Sequence, residues 1–267
     1  MNSNRLHRKK SRRARRSIDY KKGVYLLPNI LTSMSLFCGF YAIVATMQGS
    51  FVLGAWVIIL AAVFDGLDGR VARMTHTTSH FGLEYDSLSD LVAFGVAPAV
   101  LSFGLVLNQF GRVGWLAAFL FCACGAMRLA RFNTLSGSVP GGFFQGLPIP
   151  MAAGMISASI IFLNHYHLDD RTFLSYFLMA LIYGLAFLMV STIRFRSFKD
   201  FNLHSRRPFS AVFVAILVIV VVAMEPETML FCIGVIYIGS ALIEYLLYLT
   251  RRRQQTEPQT EAIEESK

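Results

Sequence analysis

Between residues 65 and 90 the chain reads D-G-L-D-G-R-V-A-R-M-T-H-T-T-S-H-F-G-L-E-Y-D-S-L-S-D, and its four aspartates, Asp65, Asp68, Asp86 and Asp90, lie beside or inside long apolar runs. A charged side chain at the centre of a bilayer costs about 2.5 kcal/mol or more, so acids in such surroundings are as a rule functional and partnered. On helices, Asp65 and Asp68 stand at i, i+3 and Asp86 and Asp90 at i, i+4, so each pair occupies one face. Two such helices set face to face bring four carboxylates to one point. Hard oxygen ligands packed that closely repel one another unless a divalent cation neutralises them, and Mg2+ or Mn2+ suits them. A buried ion-pair cluster that only locks two helices together is the plainer alternative. It does not balance, because the two arginines of the stretch, Arg70 and Arg73, of which Arg73 stands at the helix end, leave the four acids in excess without a cation.

The intervening residues indicate what such a cation would hold. Gly69 and Ala72 lie on or next to the face of Asp65 and Asp68 and leave room for a bulky ligand to approach the backbone. Arg73 follows at the helix end, where a guanidinium can take phosphate oxygens in a forked geometry. Acids, cation and arginine together suit a pyrophosphate better than a neutral substrate. The spacing D-x-x-D-G-x-x-A-R, eight residues, G-x-x-x-D-x-x-x-D, filled without a gap by Asp65, Asp68, Gly69, Ala72, Arg73, Gly82, Asp86 and Asp90, resembles the signature of the CDP-alcohol phosphotransferases.

The elements that must position these residues follow from composition. The chain is 55% hydrophobic with mean hydropathy +0.53, beyond an ordinary soluble domain, and its apolar residues come in long blocks. The expected fold is an all-α integral membrane protein with about eight transmembrane helices, at roughly 25–47, 51–73, 83–107, 113–132, 147–164, 172–193, 209–224 and 228–249. Gln48-Gly49-Ser50 is short enough to force the first two into an antiparallel hairpin. Residues 1–22 form a basic arm with ten Lys or Arg, expected to be disordered and drawn to anionic headgroups. Residues 23–250 make up the membrane domain, and 251–267 a polar tail expected to be disordered. The four cysteines all fall in apolar runs and read as small packing residues.

A net charge of +9 invites a nucleic-acid reading, but its distribution answers to membrane orientation instead. With the N-terminus inside, 23 of the 25 Lys and Arg fall on the inner side, leaving only Arg112 and Arg171 outside, whereas Asp169, Asp170, Glu225 and Glu227 lie in outer loops. Both termini are expected in the cytosol. The two aspartate pairs then lie toward the cytosolic leaflet, at a depth that suits a lipid-linked nucleotide with its tails in the bilayer.

Within the family, Asp86-Ser-Leu-Ser-Asp-Leu-Val-Ala-Phe-Gly-Val-Ala-Pro98, Arg128-Leu-Ala-Arg-Phe-Asn133, Gly146-Leu-Pro-Ile-Pro-Met-Ala-Ala-Gly154 and Leu27-Pro-Asn-Ile-Leu-Thr32 resemble the bacterial phosphatidylserine synthases, over about residues 25 to 160. That resemblance implies a CDP-alcohol phosphotransferase-like helical bundle in a bacterial-type inner membrane, acting as a homodimer on CDP-diacylglycerol and L-serine. Asp65, Asp68 and Asp86 would be metal ligands, with Asp90 at the edge of the cluster and the base that takes the serine proton. Asn29 and Thr32 match positions beside the nucleotide. Ser79 could bind phosphate or merely cap a helix. Arg128, Arg131 and Asn133 close the fourth span, where they either anchor to headgroups or supply a partner for the serine carboxylate. The acceptor could also be glycerol 3-phosphate or inositol. A divalent-cation transporter would also place acids in helices, but near the midplane with polar groups along a through-path, and the outer halves of the second and third spans are apolar.

Overall fold

Backbone N–H and C=O groups find no water in a bilayer, so long apolar runs must close their hydrogen bonds internally, as helices. A computed structural model describes residues 27–75, 79–135, 143–167, 171–196 and 224–264. Seven helices run through them: α1 (Leu27–Met47), α2 (Phe51–Thr75), α3 (His80–Leu105), α4 (Arg112–Leu135), α5 (Ile149–His165), α6 (Arg171–Val190) and α7 (Pro226–Glu264). Six are long and apolar enough to cross a membrane, and α5, with 17 residues, is shorter. Seven of the eight expected segments are thus helical among the described residues, six of them as candidate spans. The remaining one, at 209–224, lies almost wholly outside the described residues, as do the basic arm and His76.

The α1–α2 hairpin forms as its three-residue turn demands. Gly49 adopts φ 77°, and the Ser50 N–H closes onto the Ala45 carbonyl at 2.9 Å. The shortest helix, α5, is the most enclosed. Ile149, Ala152, Ala153, Ile156 and Ile161 are buried along it, against α2, α6 and α7, while α4 lies along α6. Small residues on α1, α2 and α5 (Ala42, Ala55, Ala61, Ala152, Ala153) let these helices approach closely, which is how helices associate without a hydrophobic drive between them.

α3 is interrupted. His80–Asp90 and Ala97–Leu105 are α-helical, but Leu91–Val96 between them is a π-helical turn, in which the Ala97 N–H reaches back five residues to the Val92 carbonyl. Pro98 explains it: proline has no N–H for the Phe94 carbonyl and its ring crowds that carbonyl, so widening the preceding turn relieves the clash.

One departure from the expected all-α chain concerns its periphery. Phe143–Gln145 and Arg194–Arg196 form a short antiparallel pair, β1 and β2, with Phe144 opposite Phe195. They flank the ends of α5 and α6, so their extended backbones meet and pair. Separately, α7 continues through the polar segment to Glu264. That segment holds the good helix formers Arg, Gln and Glu, with Pro258 as its one helix breaker.

Candidate active site

Asp65 and Asp68 lie in the second half of α2 and Asp86 and Asp90 in the first half of α3, about 10–15 Å along the helices from the end of α2 at Thr75 and the start of α3 at His80. One carboxylate oxygen each from Asp65, Asp68 and Asp86 lie within 4.8 Å of one another. Asp90 stands beside this trio, its carboxyl within interaction reach of that of Asp65. The four acids named from spacing alone therefore converge.

α1 holds both acid-bearing helices. The buried Thr32 hydroxyl donates to Asp68 Oδ2 at 2.8 Å and lies 3.1 Å from the Pro28 carbonyl. The same residue's carbonyl accepts from Ser89 Oγ of α3 at 3.0 Å, one position before Asp90. Ser35 Oγ donates to the Ala61 carbonyl of α2 at 3.1 Å.

Whether a divalent cation suits this cluster is answered by an unsatisfied atom. Asp86 Oδ1 is buried with no hydrogen-bond partner, and buried polar oxygens are normally satisfied. A carboxylate with an unpartnered oxygen, meeting two more carboxylates from a neighbouring helix, is a donor set for a hard cation. The residues present fit such an ion.

Around the acids, α4 brings Arg128 within electrostatic reach of Asp90 and Asp65, with its guanidinium 5.5 Å from the Phe132 ring centre. Arg131 is half-buried nearly one turn further on, and Asn133 Nδ2 donates to Ser87 Oγ at 2.9 Å, beside Asp86. On the other flank, exposed Arg73 folds back along α2, its Nη1 3.9 Å from where a Cβ on Gly69 would stand. Around Gly66 there is open space, so the backbone of α2 is approachable there. Ser79 caps α3, accepting from the Gly82 N–H at 3.0 Å. Asn29 reaches the same corner: its Oδ1 is 3.6 Å from where a Gly82 Cβ would stand.

Thr32 and Ser79 thus have intramolecular partners, one through a site carboxylate and one through a helix start. Several polar groups near the site escape sequence reasoning. Ser89 and Ser87 bond to α1 and α4, the hydroxyls of Ser33 and Tyr85 lie 2.8 Å apart, and Tyr237 of α7 comes within electrostatic reach of Arg128. The only sequence signal was the pair of serines alternating with Leu88 between Asp86 and Asp90, placing hydroxyls on both flanks of the acid face.

A family model described as CDP-alcohol phosphatidyltransferase matches residues 25–190, which include all four aspartates, Arg73, Arg128, Arg131 and Asn133. The chain is 42% identical over 180 residues to the CDP-diacylglycerol–serine O-phosphatidyltransferase of Helicobacter pylori, covering 66% of this chain and 74% of that protein. It is 34% identical over 223 residues to the enzyme of the same name from Methanocaldococcus jannaschii, covering 84% and 96%. To the archaetidylserine synthase of Methanothermobacter thermautotrophicus it is 41% identical over 134 residues, covering 49% of this chain and 56% of that protein.

Proposed function

The chain belongs to the CDP-alcohol phosphatidyltransferase family, and from that premise we propose that it transfers the phosphatidyl group of CDP-diacylglycerol to the hydroxyl of L-serine, giving phosphatidylserine and CMP. The observation that carries this is the meeting of Asp65, Asp68 and Asp86, the last with a buried oxygen that has no hydrogen-bond partner. The names of the similar proteins from Helicobacter pylori and Methanocaldococcus jannaschii point to serine as acceptor.

Asp65, Asp68 and Asp86, with Asp90 at the edge, would hold Mg2+ or Mn2+. When bound, the cation would polarise the pyrophosphate and stabilise charge on the departing CMP. Serine Oγ attacks the phosphorus that carries diacylglycerol, in line with the bond to CMP; that P–O bond breaks as the new one forms. A serine hydroxyl keeps its proton at neutral pH, so a positioned base must accept it, and Asp90 takes that role. Its neighbour Arg128 offsets part of the acidic charge.

Arg73 and Gly69, with Asn29 and Ser79 at the adjoining corner, receive the CDP-diacylglycerol headgroup, and Thr32 acts there through Asp68. Arg128, Arg131 and Asn133 receive serine, a cation and an amide being what a zwitterion's carboxylate requires. The Lys and Arg distribution supports an inner-membrane protein with both termini and the site on the cytosolic side, and the family supports a homodimer.

The test is CMP release by the purified protein, given CDP-diacylglycerol, Mg2+ or Mn2+, and serine, glycerol 3-phosphate or inositol in turn. Release with serine alone supports the assignment. Release with another acceptor and none with serine refutes it while leaving the chemistry intact.

A further inference from the structure

Thr32 and Gly39 stand at i, i+7 on α1, and Ser89 and Ala93 at i, i+4 on α3, so each pair lies on one face of its helix. These faces meet. Ser89 Oγ bonds to the Thr32 carbonyl at 3.0 Å, and both residues are buried. One turn deeper, a Cβ placed on Gly39 would stand 2.5 Å from Ala93 Cα, 2.8 Å from its Cβ and 3.1 Å from its nitrogen. Backbone meets backbone there, and Ala93 belongs to the π-helical turn Leu91–Val96 that starts directly after Asp90. A π turn carries one residue more than the α-helical repeat, so it decides how the aspartates before it are rotated relative to the core residues after it.

We propose that the seat formed by Gly39 against Ala93 in the π turn, with the Ser89–Thr32 bond above it, is the positioning device that fixes where Asp86 and Asp90 stand relative to Asp65 and Asp68. Gly39 is a positioning residue: it touches no reacting group and acts through the rotation and height of α3. Asp65 and Asp68 reach the site on α2, which is tied to α1 by Ser35 and Thr32. The α1–α3 seat is therefore the second half of one alignment, with α1 as common reference for both pairs. A methyl group at residue 39 cannot be absorbed by a flexible side chain, because its nearest neighbour is the Ala93 backbone. To restore ordinary contact, α3 must move by about 1 Å, a displacement that costs on the order of a hundredfold when it falls on reacting groups.

The inference rests on the four-acid cation site and deepens it. The experiment compares wild type, Gly39→Ala, Ala93→Gly and Gly39→Ala/Ala93→Gly, each purified as the full chain and monodisperse in detergent. Mn2+ binding is read from loss of the free-ion electron paramagnetic resonance signal, and CMP release is measured separately at saturating Mn2+. Gly39→Ala is expected to weaken Mn2+ binding about tenfold or more and to lower turnover about a hundredfold. Ala93→Gly removes the Cβ at 2.8 Å but leaves the Cα at 2.5 Å, so the double variant is expected to stay impaired in both. Wild-type Mn2+ binding by Gly39→Ala, or by the double variant, would overturn the proposal. Absence of Mn2+ binding by the wild type would overturn the cation reading itself, a separate outcome. Should Gly39→Ala fail to accumulate, Ser89→Ala loosens the same seat without adding volume. Weaker Mn2+ binding, restored by Ser89→Thr, supports the proposal, and unchanged binding refutes it.

Discussion

Replacing Thr32 with valine separates two ways in which that residue could matter. Valine keeps the branched shape in a buried position but removes the hydroxyl 2.8 Å from Asp68 Oδ2. A hydrogen bond to a charged group contributes about 1.5–3 kcal/mol, and 1.4 kcal/mol is about tenfold in an equilibrium constant. A loss of roughly 10- to 150-fold in cation affinity is therefore expected, in line with the 10- to 100-fold range typical when a ligand's supporting partner is removed. The assay is Mn2+ titration of the free protein, followed by CMP release across CDP-diacylglycerol concentrations at saturating Mn2+. If Thr32 acts through Asp68, Mn2+ binding weakens, the CDP-diacylglycerol KM at saturating Mn2+ stays within about twofold, and Thr32→Ser restores the Mn2+ affinity. Wild-type Mn2+ affinity together with a raised KM would refute this and make Thr32 a direct substrate contact.

Asp90→Asn keeps the shape but cannot accept a proton. Its turnover should fall by a factor of at least 100 while CDP-diacylglycerol binding, followed by equilibrium dialysis, persists; full activity rules Asp90 out as the base. Arg131→Ala should raise the serine KM by about tenfold or more and leave that for CDP-diacylglycerol alone, so an unchanged serine KM counts against the serine-carboxylate role. Arg73→Lys retains charge but loses the forked geometry, and is expected to raise the CDP-diacylglycerol KM without affecting serine; equal rises for both substrates would contradict the placement of Arg73 on the nucleotide side.

What the sequence disclosed and what it hid divide along a physical line. Asp65 with Asp68 and Asp86 with Asp90 were legible because helical periodicity alone decides which side chains share a face, and the cost of acids in an apolar run says that they must meet something. The span limits were legible for the same reason, as with the predicted 51–73 against the observed Phe51–Thr75. Hidden were contacts that join residues far apart in the chain: Thr32 with Asp68, Ser89 with the Thr32 carbonyl, Gly39 with Ala93. No local pattern announces a buried threonine's partner 36 positions away. The π turn was half visible, since Pro98 marks a break in helical bonding, but a proline can be accommodated by a kink, a bulge or a helix end, and packing against α1 makes the choice. The enclosure of α5 was also out of reach, because a uniformly apolar helix carries no stripe to say which neighbours surround it.

The central claim is that one divalent cation is held between α2 and α3 by the clustered aspartates while the enzyme works. Crystals of the active protein grown with Mn2+ and measured at the manganese edge test it most directly. The account predicts an anomalous peak among the carboxylates of Asp65, Asp68 and Asp86, lost in Asp86→Ala. Protein that releases CMP from CDP-diacylglycerol and serine, yet shows no peak there or shows it elsewhere in the bundle, would contradict it.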